Sequence, residues 1–487
     1  MKKLLLTSTI ALASCNLTPE YLRPATAAPD KWSDENTVGI GQDQISAPFW
    51  QQIEDKELQS LITTSLSQNL DIESALQRTA QARAEAKIAG ADLVPSVDAS
   101  FGASRSFDKS AAGNYSQSSS LSGGIAVNYE LDLWRRNQSA ANSAAFRAEG
   151  SRFDHDAVTI SIVSDVIINY AQLITLQKRI EVAKKALENA QAILKIIEAR
   201  FAEGSNSSLE VAQQKTSIYG FRATITSLER QYSASRNALA ILNGASPQQF
   251  VVKHGNNKLP KLPSPTLTPP SSLLVNRPDI RSAEAELMAN NADIGAARAA
   301  FYPSLNLGVD AGTVASSLSS PATTALGVGS SILAPIFSGG RLTGNLEKTA
   351  ARQKELVAQY QKIILVSFQE TENALASLKA ARLQNKTYTS ARIEANRAYK
   401  IAKERFDSGS IDFLNLLDSQ RTLLQAEDNM VQGNFDEFTA IIQLNKALGW
   451  IPSVNGGVLR NGTPYQLGLL ITPTYLLSLA NSRSLQA

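Results

Sequence analysis

Histidine and cysteine are almost missing from this chain: its 487 residues include two His and one Cys. His155 and His254 lie far apart, one in a helical stretch and one in a proline-rich stretch, so a multi-histidine metal site is excluded. A single thiol excludes a disulfide within the chain. Charge of one sign is also lacking. The 47 basic and 44 acidic residues leave a net charge of +3 with no basic cluster, so no nucleic-acid surface is expected. There is no phosphate-binding glycine loop and no nucleophile elbow; Gly339-Gly340 reads as a strand-to-helix turn. Asp154 and Asp156 flank His155, a cluster that reads as the polar start of a helix. No catalytic residue, metal or cofactor is expected, and the chain does not read as an enzyme. What remains plentiful is Ala, Ser, Leu, Gln and Asn, a composition suited to long helices packed through small side chains.

Long hydrophobic runs are missing too. Leu4 to Leu12 is apolar but too short to span a bilayer. It follows Lys2 and Lys3 and leads into Leu12-Ala13-Ser14-Cys15, the pattern of a bacterial lipoprotein signal peptide. Residues 1–14 are expected to be removed, leaving Cys15 as the lipid-carrying first residue of an extracytoplasmic protein tethered to a membrane. Asn16 follows, whereas aspartate there commonly retains lipoproteins in the inner membrane.

The most informative internal feature is a duplication. Asp71, Ile72, Ala75, Pro95 and Ser96 recur 208 positions later as Asp279, Ile280, Ala283, Pro303 and Ser304. Arg136, Arg200, Phe201, Gly204 and Ser205 recur 205 positions later as Arg341, Arg405, Phe406, Gly409 and Ser410. The second copy has therefore lost three residues, which we assign to the polar hairpin tip near Ala111 to Ser120. The expected organisation is an N-terminal tethered segment 15–68, a first repeat 69–242, a Pro/Ser-rich linker 243–276, a second repeat 277–450 and a tail 451–487.

Each copy reads as a helix, two strands and two long helices, a mostly α fold with a β portion. The first helix spans about Asn69 to Asp92 and stops before Pro95. Strands alternate with period two: Leu121, Gly123, Ile125, Val127, Tyr129 and Leu131 against Ser122, Gly124, Ala126, Asn128 and Glu130. The loop between strands is placed at Asp108 to Ser119. A length of about ten residues suits tilted transmembrane strands, although a half-buried soluble sheet alternates in the same way. Four strands cannot close a barrel around a pore, and lipid does not tolerate open edges, so a membrane reading requires several chains. The long helices carry a seam. Ile180, Ala183, Leu187, Ala190, Leu194, Ile197 and Phe201 follow a coiled-coil period. No Pro or Gly interrupts Phe153 to Phe201, a helix roughly 70 Å long. A returning helix runs from about Leu209 to Leu242, and the second copy repeats this with Leu417, Leu424, Val431, Phe435, Phe438 and Ile442 on one face.

Leu274-Val275-Asn276-Arg277-Pro278-Asp279-Ile280-Arg281-Ser282-Ala283-Glu284 closely resembles the TolC-like outer membrane factor family, and within it the efflux lipoproteins of the OprM/NodT group. Cys15-Asn16-Leu17-Thr18-Pro19, Tyr129-Glu130-Leu131-Asp132-Leu133-Trp134 and Pro335-Ile336-Phe337-Ser338-Gly339-Gly340-Arg341 are similar to it as well. The resemblance covers about Cys15 to Trp450 and not the tail. It departs at Arg135, where the family often has glycine, so a different backbone is expected in that turn. The resemblance implies a homotrimer with a twelve-stranded outer-membrane barrel, four strands per chain, continuous with a periplasmic α-helical barrel. It implies passive export, with an inner-membrane pump supplying energy and a periplasmic adaptor bridging the two. It also assigns residues. The turns at Gly204, Ser205, Gly409 and Ser410 would be the tips that meet the adaptor, and Leu414, Asp418 and Arg421 match the family's constriction. Their spacing places all three on one helix face, where a threefold ring of Asp418 carboxylates would favour cations and Arg421 would pair with a neighbouring Asp418. From spacing alone, an ordinary solvated charge pair is the simpler reading. Two alternatives to small-molecule efflux stand beside it: a protein-secretion duct of the same fold, and a structural coiled-coil lipoprotein, which would need neither amphipathic strands nor their duplication.

Overall fold

The computed structural model of the protein describes residues 16–449 apart from 27, 35–48, 112, 253–257 and 317–320. The signal segment, Cys15, His254 and the tail 451–487 lie outside the described residues.

After a short 3-10 turn at Phe49–Gln52 come α1 (Lys56–Gln68) and α2 (Leu70–Ala91). Asn69 serves both helices: it ends α1, accepts from the Asp71 and Ile72 amides at 2.9 and 3.1 Å, and donates to the Leu242 carbonyl at 2.9 Å. Then follow β1 (Ser96–Lys109), β2 (Tyr115–Leu131), α3 (Arg136–Ala202) and α4 (Ser208–Leu242). Beyond the linker and the single turn α5 (Leu273–Asn276) the order repeats as α6 (Pro278–Ala299), β3 (Ser304–Ala315), β4 (Thr323–Leu333), α7 (Arg341–Asp407) and α8 (Phe413–Ala447). The copies agree in length: α2 and α6 have 22 residues each, α3 and α7 have 67, and α4 and α8 have 35.

Each 67-residue helix is about 100 Å long. The start read at Phe153 is thus corrected to Arg136: the helix runs straight through Gly150. Glycine does not break it there because that turn lies against α6, where a Cβ would sit 3.5 Å from the Ala285 Cβ. Packing overrides the weak helix propensity. The Asp154-His155-Asp156 cluster is therefore well inside α3 and not at a helix start. Asp156 faces Arg152 and His155, and burial raises its carboxyl above its ordinary value, while the Arg152 charge and the hydrogen bond with His155 pull it back.

The four strands form one antiparallel sheet in the order β1-β2-β3-β4. They have 14, 17, 12 and 11 residues, longer than expected. The loop placed at Asp108 to Ser119 shrinks, because pairing continues to Lys109↔Tyr115. Small polar residues hold this extension: Ser104 bonds Ser120 at 2.8 Å and Ser106 bonds Ser118 at 2.6 Å across the ladder. Register is shared between the hairpins. Ser96↔Asn128 and Ser304↔Leu333 are equivalent pairs under the two offsets, and so are Ser106↔Ser118 and Val314↔Thr323. The three lost residues therefore lie beyond that last shared pair, at the tip.

Register also sorts the faces. Val97, Phe101, Ile125, Val127, Val309, Leu326, Val328 and Ile332 share one face, while Asp98, Ser100, Asn128, Glu130, Asn306 and Asp310 share the other. The apolar face is bare: Phe101 and Val328 are each 79% exposed. β1 and β4 are open edges.

Below the sheet, two cores hold the helices together. One gathers Trp32, Leu267, Ile280, Leu287, Tyr360, Leu375, Leu378 and Leu444. The other gathers Leu58, Ile62, Val166, Ile167, Tyr170, Leu173, Leu239, Phe438 and Ile442. By length and composition α3 qualifies as a membrane span, but 56% of that stretch is buried inside the chain. The N-terminal segment is strapped onto this body. Thr18 bonds Ser139 at 2.9 Å, Arg23 grips Glu284 through two bonds of 2.6 and 2.7 Å, and Trp32 Nε1 donates to the Thr268 carbonyl at 2.8 Å. Gly295 is required here, since any Cβ at that position would collide with Thr18.

The turn at Arg135 corrects the expectation of a different backbone. Arg135 adopts φ 55°, ψ 36°, and its counterpart Gly340 adopts φ 84°, ψ −4°: both lie in the left-handed region. The geometry of helix entry is imposed by the strand-to-helix junction, and the arginine accepts it at a cost of about 1 kcal/mol. The preceding residues do differ: Gly339 is left-handed at φ 58° whereas Trp134 is not. Trp134 instead stacks on Tyr302 at 4.8 Å and donates to the Pro303 carbonyl at 2.7 Å, joining the two hairpin bases.

Candidate gate and helical tips

α3 and α4 pack as a coiled coil. Ala183, Ala190 and Ile197 are buried on the seam, and Ile218, Phe221, Ile225 and Leu228 come from α4. Phe201, the last residue of the expected seam, is 47% exposed. Both long helices end alike. The Gly204 amide donates to Phe201 and the Ser205 amide to Arg200, at 3.0 and 2.8 Å; Gly409 and Ser410 repeat this with Phe406 and Arg405 at 3.0 and 2.8 Å. These are Schellman caps, and the left-handed φ of 76° and 75° is what glycine supplies. Gly204, Ser205, Gly409 and Ser410 are all exposed at the ends of the hairpins.

Leu414, Asp418 and Arg421 stand together on the exposed face of α8, within its first three turns. The opposite face holds Phe413, Leu416 and Leu417, buried with Ile193 and Ile197 of α3. Packing of that buried face fixes the direction of the three exposed side chains. Among the described residues neither Asp418 nor Arg421 has an ion-pair partner within the chain. The counterpart of Asp418 is Gln213, half-buried on α4, so only the second hairpin presents an acid at this position.

Two features escaped the sequence reading. Along the contact of α3 with α8, Arg179 holds Asp428 through bonds of 2.7 and 2.9 Å and reaches Gln432 at 3.2 Å. At the tip, Arg200 lies 4.8 Å over the Phe406 ring and donates to the Phe406 and Asp407 carbonyls at 3.3 and 3.2 Å. The signal for the second was in view, because Arg-Phe recurs at both helix ends. The first had none, since Arg179 and Asp428 are not repeated. Among the described residues, no group of three or more His, Cys, Asp or Glu could hold a metal ion.

Set beside known proteins, residues 61–245 and 270–450 match the family described as outer membrane efflux protein. The chain is 34% identical over 468 residues to the pyoverdine export outer membrane protein OpmQ of Pseudomonas aeruginosa, covering 92% of this chain and 97% of that protein. It is 30% identical to the toluene efflux pump outer membrane protein TtgI of Pseudomonas putida, covering 93% and 99%. In three dimensions it is similar to the outer-membrane channel OprN with a TM-score of 0.83 and 27% identity, covering 90% of this chain and 99% of that one.

Proposed function

The chain belongs to the outer membrane efflux protein family, and from that premise we infer that it is the outer-membrane channel subunit of a tripartite efflux system. It is a passive duct, fed by an inner-membrane pump through a periplasmic adaptor. One observation carries the reading: a four-stranded sheet with open edges, one bare apolar face and one polar face, sits on helices about 100 Å long. Three copies would supply twelve strands, β4 of each pairing with β1 of the next. Closure satisfies every edge, turns the apolar face to lipid and turns Asp98, Glu130 and Asp310 to water. Lipid on Cys15, after loss of residues 1–14, adds a tether. Repeats 69–242 and 277–450, joined by 243–276, build the duct, and the tail 451–487 follows it.

The periplasmic end is held closed by Leu414, Asp418 and Arg421. In a trimer Asp418 becomes a ring of three carboxylates, and Arg421, which has no ion-pair partner among the described residues of its own chain, would bridge to the next copy. Gly204, Ser205, Gly409 and Ser410 meet the adaptor, whose contacts replace those of the closed end. The cargo is a small molecule. Relatives named for pyoverdine and for toluene match 92% and 93% of this chain, so membership of the family does not fix which one.

Planar-bilayer conductance of the purified protein tests the reading, run beside Asp418→Ala/Arg421→Ala. Small cation-selective steps that grow several-fold in the variant are expected. A folded trimer that conducts in neither form would make it a structural lipoprotein.

A further inference from the structure

The duplication makes one contact of this chain a template for another that the chain alone cannot form. Within the chain, the first hairpin meets the second where α3 lies on α8. Shifting each partner by one copy gives α7 against α4 of a neighbouring molecule. That face is unoccupied here: Leu383 of α7 is 67% exposed and Tyr219 of α4 is 64% exposed.

The tip carries the correspondence to single residues. Arg200, Phe406 and Asp407 form the intrachain clasp. Displaced by 205 positions, they become Arg405 with Phe201 and Ala202. The Phe406 ring is 4% exposed and covered by Arg200, whereas Phe201 is 47% exposed. Arg405 is exposed and, among the described residues, its side chain has no hydrogen-bond, ion-pair or ring partner. One turn before these arginines, Ile196 packs against the core that includes Phe413 and Leu416, while its counterpart Ile401 is 43% exposed. Arg405, Phe201 and Ile401 are thus exposed where their counterparts Arg200, Phe406 and Ile196 are engaged.

We propose that Arg405 closes the seam between subunits by stacking on Phe201 of the partner subunit and donating to the carbonyls at the end of that subunit's α3. A second copy of this chain is the only occupant that the template specifies. The inference rests on the trimer proposed above.

The rest of the two seams differs. The Arg179–Asp428 pair has Gln384 and Ala223 as its counterparts, and Ile193 and Ile197 have Ala398 and Ala402. Lacking the counterpart of that ion pair, and with alanines in place of the two isoleucines, the seam between subunits depends on its terminal clasp more than the intrachain seam does.

A double-mutant cycle on the full-length protein in detergent decides this. Native mass spectrometry first gives the oligomeric state, and the temperature at which oligomer gives way to monomer on a denaturing gel is then read for Arg405→Ala, Phe201→Ala and both together. Each single change is expected to lower that temperature by several degrees and the pair to lower it no further, with Phe201→Trp close to the parent. Phe201 and Arg405 are solvent-exposed in the single chain, so the folded protomer survives the changes, which circular dichroism verifies. A trimer in which the two effects add, or in which neither has an effect, overturns the clasp and leaves the trimer standing. A monomeric parent overturns both.

Discussion

α2 and α6 are copies of equal length, yet α6 buries 13 of its residues and α2 buries only Ile72, Ala75 and Thr79. The difference comes from position. α6 lies between α3 and α7, while α2 packs mainly on α3. Leu70 and Ile88 of α2 are consequently 75% and 71% exposed. One chain thus completes one of two alternating seams and displays the halves of the other. A duplicated unit that closes a ring needs only one further kind of contact, and that economy explains why so much apolar surface stays bare on a folded chain.

The contrast can be broken most severely at the second tip. Phe413 is 1% exposed and its counterpart is Ser208, so Phe413→Ser imposes first-copy chemistry on the second hairpin. It should destabilise the tip by about 3–5 kcal/mol, read as faster hydrogen exchange at the start of α8; unchanged exchange would mean that this core is not what orders the hairpin. Next in size is Arg179→Ala, which strands Asp428 in a half-buried site and should cost about 2 kcal/mol of stability in thermal unfolding. The converse sharpens the comparison. Gln384→Arg with Ala223→Asp installs the missing pair on the other seam, and oligomer stability should rise while conductance falls. Smaller again is the exchange at helix entry: Gly340→Arg should cost about 1 kcal/mol and Arg135→Gly should gain less than about that amount, so a penalty for Arg135→Gly would show that the arginine side chain itself stabilises the turn. Smallest is Asp156→Asn. Because burial raises this carboxyl in the folded state, its contribution is fully present in acid, below its unfolded value, and is lost as pH rises through its folded value. The substitution should flatten that part of the stability profile and raise the melting temperature at neutral pH relative to the parent; a profile with unchanged slope would mean that Asp156 titrates alike in both states.

Much of this architecture was legible in the residues. The two offsets located the copies, and the structure keeps them in helix lengths and in strand register down to Ser106↔Ser118 and Val314↔Thr323. The seam through Ala183, Ala190 and Ile197 was visible because a coiled coil writes its partner into its own period. The readings that failed were those decided by a distant partner. Gly150 signals a helix end locally but lies on Ala285, more than a hundred residues away in sequence. Ser118 and Ser120 look like the polar hairpin tip and are strand because the Ser106 and Ser104 hydroxyls across the hairpin pair with them. Arg135 looked like a break in the turn and conforms to it. The spacing of Leu414, Asp418 and Arg421 correctly put them on one face, but nothing in the spacing said that this face is the exposed one; Phe413, Leu416 and Leu417 decide that by packing on α3. Arg179 and Asp428 are single, distant and unrepeated, and a pair of that kind leaves no pattern to read.

The N-terminal strap has a consequence for depth. Thr18 is seated between Ser139 and Gly295, just beneath the sheet, and three residues upstream is Cys15. Fully extended, that stretch reaches no more than about 11 Å. An acyl chain on Cys15 would therefore enter the leaflet on a mooring with almost no slack. The anchor would then do more than keep the protein at the membrane: it would set the waterline, fixing which rung of the barrel lies level with the inner surface of the bilayer.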